Sequence, residues 1–150
     1  MSNNFGGKFK KITSLIRLNI YHSKTFSSNP DLTNMTGWTI GMISRRKEKC
    51  IETYQKDIEK EFKISRSTAS GLLNNMEEAG YIYREVSSVD SRLKIIHLTE
   101  KATELHNKVL KTFDEIEHVM LKDFNEKEKE EFYKYLLRVE YNLENNKGVL

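Results

Sequence analysis

Residues 65–98 read SRSTASGLLNNMEEAGYIYREVSSVDSRLKIIHL and change their apolar period partway along. The first part carries apolar side chains at helical spacing, namely Ala69, Leu72, Leu73 and Met76. This spacing predicts a helix over residues 66–79, with Ser65 as its N-cap and Gly80 just past its C-terminal end. The later part is rich in β-branched and aromatic residues with interleaved charges, which predicts strands.

The predicted strands cover residues 81–86 and 92–98 and are joined by the polar segment 87–91, so they form an antiparallel hairpin. Upstream, residues 53–62 place Ile58 and Phe62 four apart, which predicts a short helix separated from the next one by a three-residue break. The order helix, turn, helix, hairpin is typical of a winged helix-turn-helix.

N-terminal to this segment, helical spacing predicts a first helix over about 9–21 and a second from near Thr36 to the basic run at 45–49. In the second helix we expect Trp38, Met42 and Ile43 to point inward. A long helix should follow a Thr99 cap, and a last helix should open near Asn125. Their expected inward residues are Ala102, Leu105, Val109, Phe113, Ile116, Met120, Phe132, Leu136, Val139 and Leu143. The predicted fold class is mainly α with a small β-hairpin wing (α+β).

Composition supports one helical domain in this 150-residue chain, which is 37% hydrophobic and 31% charged with a formal charge of +3. Few apolar residues make a large enzyme cavity hard to build. No stretch approaches the roughly 18 consecutive apolar residues of a membrane helix, and the first residues lack a secretion signal. We therefore expect a cytoplasmic protein with no membrane contact. Cys50, the single cysteine, cannot form an internal disulfide.

The predicted helix 66–79 has a polar face that suits the major groove of DNA. Small polar side chains allow a close approach, and Ser, Asn and Arg can read base edges. The free N–H groups at its start suit a phosphate. Candidate contacts on this helix and its cap are Ser65, Arg66, Ser67, Thr68, Ser70 and Asn74. The charge pattern agrees, because residues 1–98 hold 16 Lys+Arg and 10 Asp+Glu, whereas residues 99–150 hold 9 and 12. The alternative is a solvated amphipathic helix without a partner.

The most specific motif of the chain is Asp90-Ser-Arg92 followed by His97-Leu-Thr-Glu-Lys101. With this motif, residues 53–100 resemble the winged helix-turn-helix core of the MarR family of bacterial transcription regulators, and the flanking helices extend the resemblance over nearly the whole chain. The other matching stretches are Tyr54-Gln-Lys-Asp-Ile58, Ile64-Ser-Arg-Ser-Thr68, Leu72-Leu73 and Glu77-Glu-Ala-Gly-Tyr-Ile82.

The resemblance implies that Arg92 enters the minor groove of DNA and that Asp90 steadies it, a role that fits the attraction of a guanidinium to a narrow groove. An ordinary surface ion pair is the alternative. Gly71 and Asn75 stand where relatives often have a basic residue, and Lys63 stands where Gly is frequent. Cations elsewhere could compensate: Arg84, Lys94 and the run Arg45-Arg46-Lys47.

The resemblance also implies a small aromatic effector bound between the DNA-binding lobe and the dimer helices. Tyr21, Trp38 and Met42 are the candidate pocket residues, although aromatic residues at this spacing are more often core. A cysteine sensor known in some relatives lies elsewhere in the chain, so we expect Cys50 to be an incidental buried or partly buried thiol.

The outer helices predict a homodimer, because a small winged domain cannot cover all their apolar stripes. One MarR-like domain would span 1–150, with a DNA-binding lobe at about 36–98 and dimerisation helices at about 8–27 and 99–146. No nucleophile signature, phosphate loop or metal spacing is found, so we expect neither enzyme nor cofactor nor metal site. The leading hypothesis is a homodimeric regulator, most simply a repressor of a near-palindromic site on double-stranded DNA. The alternative is a winged-helix protein-interaction module that does not bind DNA.

Overall fold

A computed structural model describes residues 4–146 and confirms the predicted fold class. These residues form mostly helices, together with a two-stranded sheet. The elements are α1 (Phe5–His22), α2 (Lys24–Ser27), a 3-10 helix (Pro30–Thr33), α3 (Met35–Glu48), α4 (Gln55–Phe62), α5 (Arg66–Glu78), β1 (Ile82–Val86), β2 (Lys94–Leu98), α6 (Glu100–Met120) and α7 (Glu126–Asn145). The interval between the first two predicted helices contains α2 and the 3-10 helix.

The predicted helix ends are confirmed by their hydrogen bonds. At the start of α5 the Ser65 hydroxyl accepts the Thr68 N–H at 3.1 Å, and after its end Gly80 adopts a φ of 73°. Thr99 and Asn125 accept backbone N–H groups at the starts of α6 and α7. Local capping chemistry therefore places both ends of the helix that leads into the hairpin.

The hairpin is antiparallel, with Ile82 opposite Leu98 and Val86 opposite Lys94. The other edge of β2 is also bonded, because the Ile96 N–H donates to the Thr53 carbonyl at 2.8 Å. This bond joins the hairpin to the segment just before α4. The hairpin is therefore attached to the helix-turn-helix by a backbone contact that the sequence spacing did not predict.

The hydrophobic core beneath the helix-turn-helix and the hairpin is formed by side chains of α3, α4, α5 and the hairpin itself. Its most buried large side chains are Ile40, Ile58, Leu73, Met76 and Ile82. Full burial of such a side chain stabilises the fold by about 1.5–3 kcal/mol. Because Leu73 and Met76 anchor one side of α5, the opposite side of that helix faces solvent.

Trp38 was expected to point inward, and this prediction is wrong. Its side chain is 68% exposed on α3, whereas Met42 and Ile43 on the same helix are buried as expected. At Gly37, the residue before Trp38, a Cβ would lie only 2.2 Å from the Leu32 carbonyl oxygen, so α3 and the 3-10 helix pack closely at that position.

The described chain consists of two compact units that divide between Asp114 and Glu115. In the first unit, α6 buries Ala102 and Leu105, but Phe113 stays exposed. In the second unit, the residues of α7 that were expected to point inward are exposed: Phe132, Leu136, Val139 and Leu143. The predicted helix is present, but its apolar side chains are not buried among the residues that the structure describes.

Cys50 was expected to be buried or partly buried, and this prediction is also wrong. It is exposed in the connection between α3 and α4, at a left-handed φ of 55°. Its backbone closes the helix end there, since the Cys50 N–H donates to the Lys47 carbonyl at 2.9 Å. Among residues 4–146, none of the helices has the length and apolar character that crossing a membrane would need.

Candidate nucleic-acid interface

The outer face of α5 is polar and open. Ser67 and Asn74 are exposed there, and Gly71 lies between them with no heavy atom within 4 Å of where a Cβ would stand. Ser70, at the side of this face, is half-buried. The missing side chain at Gly71 leaves room for another molecule to approach the helix backbone closely.

The N-terminal end of α5 is also accessible. Ser65 and Arg66 are exposed, and the Ser65 and Thr68 hydroxyls lie 2.8 Å apart. The Gln55 amide of α4 donates to the Arg66 carbonyl at 3.2 Å, which fixes the spacing of the two helices. Backbone N–H groups at a helix start favour an anion, although one of them is already bonded to Ser65.

At the hairpin tip, Asp90 holds Arg92 through three hydrogen bonds. The Arg92 backbone N–H and Nε donate to Oδ1 at 3.0 and 3.1 Å, and Nη2 donates to Oδ2 at 3.2 Å. These bonds lower the pKa of the Asp90 carboxyl below its ordinary value. The Arg92 side chain is nevertheless 88% exposed. Its guanidinium is therefore oriented and still able to meet a partner.

A groove of about 850 Å³ lies between α4, α5 and the hairpin. Five cations line it, namely Lys56, Arg66, Arg84, Arg92 and Lys94, and Glu59 is its carboxylate. Ser67 and Ser70 line the same groove. The structure therefore brings the predicted cations of the helix and wing to one concave surface, which suits a polyanion. Lys56 was not identified from the sequence, because a lysine on a short charged helix carries no distinguishing signal.

Two of the predicted contact residues bind each other. Arg84 Nη2 on β1 donates to the Asn74 Oδ1 on α5 at 2.8 Å, and Arg84 Nη1 lies 3.7 Å from Glu77. The Arg84 side chain is only 18% exposed. Arg84 is thus engaged within the lobe, whereas Lys94 remains exposed.

A separate pocket of about 620 Å³ opens in the first unit between α1, α3 and α6. Tyr21 and Trp38 line it, but Met42 is only 5% exposed and is not among the lining residues. The placement of Met42 in a pocket is therefore wrong, because this side chain points into the core. Sequence reasoning also did not place in this lining three ionisable residues that come from three different helices: Arg17, Arg45 and His106.

His106 is half-buried in this pocket. Burial lowers its pKa, an effect that Arg45 reinforces and Glu48 opposes. In the part of the chain that the structure describes, no three His, Cys, Asp or Glu side chains are grouped closely enough to hold a metal ion.

Known proteins share both the sequence segment and the fold. Residues 31–93 match the model of the MarR family. The HTH-type transcriptional regulator PecS of Dickeya dadantii (strain 3937) is 36% identical over 84 residues, which are 56% of this chain and 51% of PecS. The chain therefore aligns with about half the length of PecS.

Two solved structures of S. aureus MepR extend the likeness to nearly the whole chain. The MepR-DNA complex has a TM-score of 0.72 and 27% identity, and covers 93% of this chain and 99% of that chain. MepR bound to ethidium bromide has a TM-score of 0.73 and 27% identity, with 93% and 96% covered. The matched segment and the shared winged fold make this chain similar to proteins of the MarR family.

Proposed function

We propose that the protein is a transcription regulator, not an enzyme, that binds double-stranded DNA. In this proposal α5 enters the major groove and the hairpin tip follows the minor groove. The observation that carries it is Arg92, which is 88% exposed yet held by Asp90 in one orientation. An oriented guanidinium suits the negative potential of a narrow minor groove. Such a role requires the protein to act in the cytoplasm, where the bacterial genome lies.

The cationic groove and the relatives support this proposal. Arg66 on α5 and Lys94 on the hairpin both line the cationic protein groove. Phosphates on both sides of a bound DNA groove would therefore meet positive charge. PecS is named a transcriptional regulator, and MepR has been solved as a DNA complex. Ser65, Ser67, Thr68, Ser70 and Asn74 would supply the remaining polar contacts from α5.

The test is fluorescence anisotropy with DNA selected from a random pool, over a salt series. We expect Arg92→Ala and Arg66→Ala each to weaken binding by about 5- to 150-fold, the equivalent of 1–3 kcal/mol, and to reduce the salt slope by about one. The matched control is Lys127→Ala, which removes an exposed cation at the start of α7. Binding that is indifferent to both arginines would favour the alternative, a protein-interaction module.

We further propose that the protein acts as a homodimer on a near-palindromic site, most simply as a repressor. The exposed apolar side chains of α1 support this assembly, because their burial needs a partner surface: Phe5, Phe9, Ile12, Leu15 and Leu18. The exposed apolar residues of α7 support it independently. Two recognition helices of a dimer would meet successive major grooves about 34–36 Å apart.

Sedimentation at micromolar concentration tests the assembly, and a monomer would contradict it. A transcription assay with the selected site placed over a promoter tests the direction of regulation. We expect less transcript with the protein than without it, whereas an increase would identify an activator.

The pocket supports a small-molecule effector as a second part of the proposal. Its charged groups are Arg17, Arg45 and the titratable His106, on an otherwise mostly apolar lining. We therefore propose an aromatic ligand that carries a negative charge, in contrast to the ethidium seen with MepR. Ligand binding beside α1 would alter the separation of the two DNA-binding lobes and release the DNA.

Trp38 provides the measurement, because it is the single tryptophan and lines the pocket. We expect benzoate-type anions to change its fluorescence at lower concentration than benzylammonium of the same size. Replacement of Arg17 by Ala should remove that preference, and replacement of the exposed Lys10 on the same helix should not. A preference for benzylammonium would contradict the proposed charge of the ligand.

A further inference from the structure

The contact between Arg84 and Asn74 joins the wing to the open face of α5. Arg84 Nη2 lies 2.8 Å from Asn74 Oδ1, across an otherwise solvent-facing part of the lobe. Glu77, one turn along α5 from Asn74, lies 3.7 Å from the same guanidinium and balances its charge. Asn74 itself is exposed on the face that we propose for the major groove.

The chemistry of this contact determines which edge of the Asn74 amide faces Arg84. A guanidinium has donors and no acceptor, so the amide oxygen must face it. The amide nitrogen then points away from Arg84. Among residues 4–146, no hydrogen-bond acceptor is recorded for that nitrogen, so its two N–H donors remain available to another molecule.

The outward position of these donors matters for base recognition. An unrestrained asparagine can turn both its oxygen and its nitrogen toward adenine, which offers a donor beside an acceptor in the major groove. An asparagine whose oxygen is already held presents donors instead. Guanine N7 and O6 and thymine O4 are acceptors that match such an edge. Adenine matches it only at N7, because its neighbouring amino group is a donor, and the amino group of cytosine offers no acceptor.

We propose that Arg84 is a positioning residue that fixes the Asn74 amide with its donors outward, so that Asn74 selects guanine or thymine at one position of each half-site. This inference rests on the proposed function. Gly71 contributes by lying one turn before Asn74 with open space above it, so a base edge can approach the amide without a side chain between them.

The buried part of Arg84 also favours a functional role over a purely stabilising one. Its Nε is buried and meets no hydrogen-bond partner within residues 4–146. A buried donor without an acceptor raises the free energy of the folded state. If packing were the only requirement, an apolar side chain at this position would stabilise the fold more. The guanidinium is explained if its task is to orient Asn74.

The experiment is selection of bound sequences from random DNA by the full-length protein, compared between wild type and variants. We expect wild type to enrich guanine or thymine at one position per half-site by about 5- to 150-fold over the other bases. Arg84→Met should let adenine enter at that position, because the Asn74 oxygen becomes free to turn outward. Asn74→Asp should shift the preference toward cytosine or adenine, since a carboxylate has only acceptors.

The matched control is Glu77→Gln, which removes the more distant charge and leaves the Arg84–Asn74 hydrogen bond, and it should keep the wild-type preference. Should Arg84→Met fail to fold by circular dichroism, Asn74→Asp at its exposed position still decides the matter. Wild-type enrichment with no change of base preference in Asn74→Asp would overturn this inference alone. If wild type enriches no sequence at all, the proposed function is overturned and the inference with it.

Discussion

The Arg46 guanidinium at the end of α3 lies 3.1 Å from Asp57 Oδ2, and that same oxygen accepts the Tyr54 N–H at the start of α4. Arg46 also donates to the Glu52 carbonyl at 2.7 Å and to the Thr53 hydroxyl at 3.2 Å. One side chain therefore holds the connection between α3 and the helix-turn-helix. In the sequence Arg46 was a candidate for a compensating DNA contact, but its donors are engaged within the protein.

Replacement of Arg46 by Met should lower the free energy of unfolding by about 1–3 kcal/mol, because it leaves the partly buried Asp57 without its charged partner. Urea unfolding followed by circular dichroism measures this change. Lys47→Met is the control, since Lys47 is exposed, and it should stay within about 0.5 kcal/mol of wild type. Equal effects of the two variants would show that the Arg46 contacts do not stabilise the fold.

Two glycines on helices should respond in opposite directions to replacement by alanine. At Gly37 the new Cβ would lie 2.2 Å from the Leu32 carbonyl oxygen, so the 3-10 helix and α3 must move apart. We expect a loss of stability of about 1–3 kcal/mol. At Gly71 nothing lies within 4 Å, and alanine should stabilise α5 by about 0.5–1 kcal/mol.

Thermal unfolding of Gly37→Ala and Gly71→Ala tests this pair directly, and each variant serves as the control for the other. A drop in melting temperature for Gly71→Ala would contradict the open space on α5. The same variant gives a second readout, because it should bind selected DNA less tightly than wild type if the base edge approaches the backbone at Gly71.

Replacement of Asp90 by Ala should reduce discrimination between DNA sites more than it reduces overall affinity. Arg92 keeps its charge in this variant but loses the three bonds that orient it. We therefore expect a smaller preference for sites flanked by A·T pairs over the same sites flanked by G·C pairs. Anisotropy with the two DNAs measures the ratio. An unchanged ratio would show that the orientation by Asp90 plays no part in recognition.

Acidification should destabilise the first unit through His106. Its pKa in the folded protein is lowered by burial, so the unfolded chain takes up a proton at a higher pH than the folded one. The free energy of unfolding should therefore fall as the pH drops below the ordinary value of 6.5 and continue to fall until the lowered pKa of His106 is passed. Arg45 and Glu48 act on the same imidazole, with opposite signs.

Urea unfolding of wild type and His106→Gln at pH 7.5 and pH 5.5 isolates this contribution. The variant should lose less stability between the two pH values than wild type does. His22→Gln, at an exposed position of α1, is the control and should behave like wild type. If His106→Gln and wild type lose the same stability, the acid sensitivity lies in other groups.

Most of the fold could be predicted from local patterns. The spacing of Ala69, Leu73 and Met76 predicted α5 and its buried side, because a helix repeats its faces every few residues. Ser65 and Gly80 predicted where α5 begins and ends, since their side chain and backbone preferences act on adjacent residues. Asp90 and Arg92 lie two residues apart, so their pairing is also a local property.

The remaining features depend on residues that are distant along the chain. Arg84 meets Asn74 across 10 residues, and the pocket combines Arg17, Arg45 and His106 from three helices. Spacing along one helix cannot show which side of it a second element will cover. For this reason the outward orientation of Trp38, the exposure of Cys50 and the position of Met42 outside the pocket lining were not obtained correctly from the sequence alone. Local hydrogen bonding and periodicity establish the elements, whereas the packing of one element against another establishes which side chains are left to act.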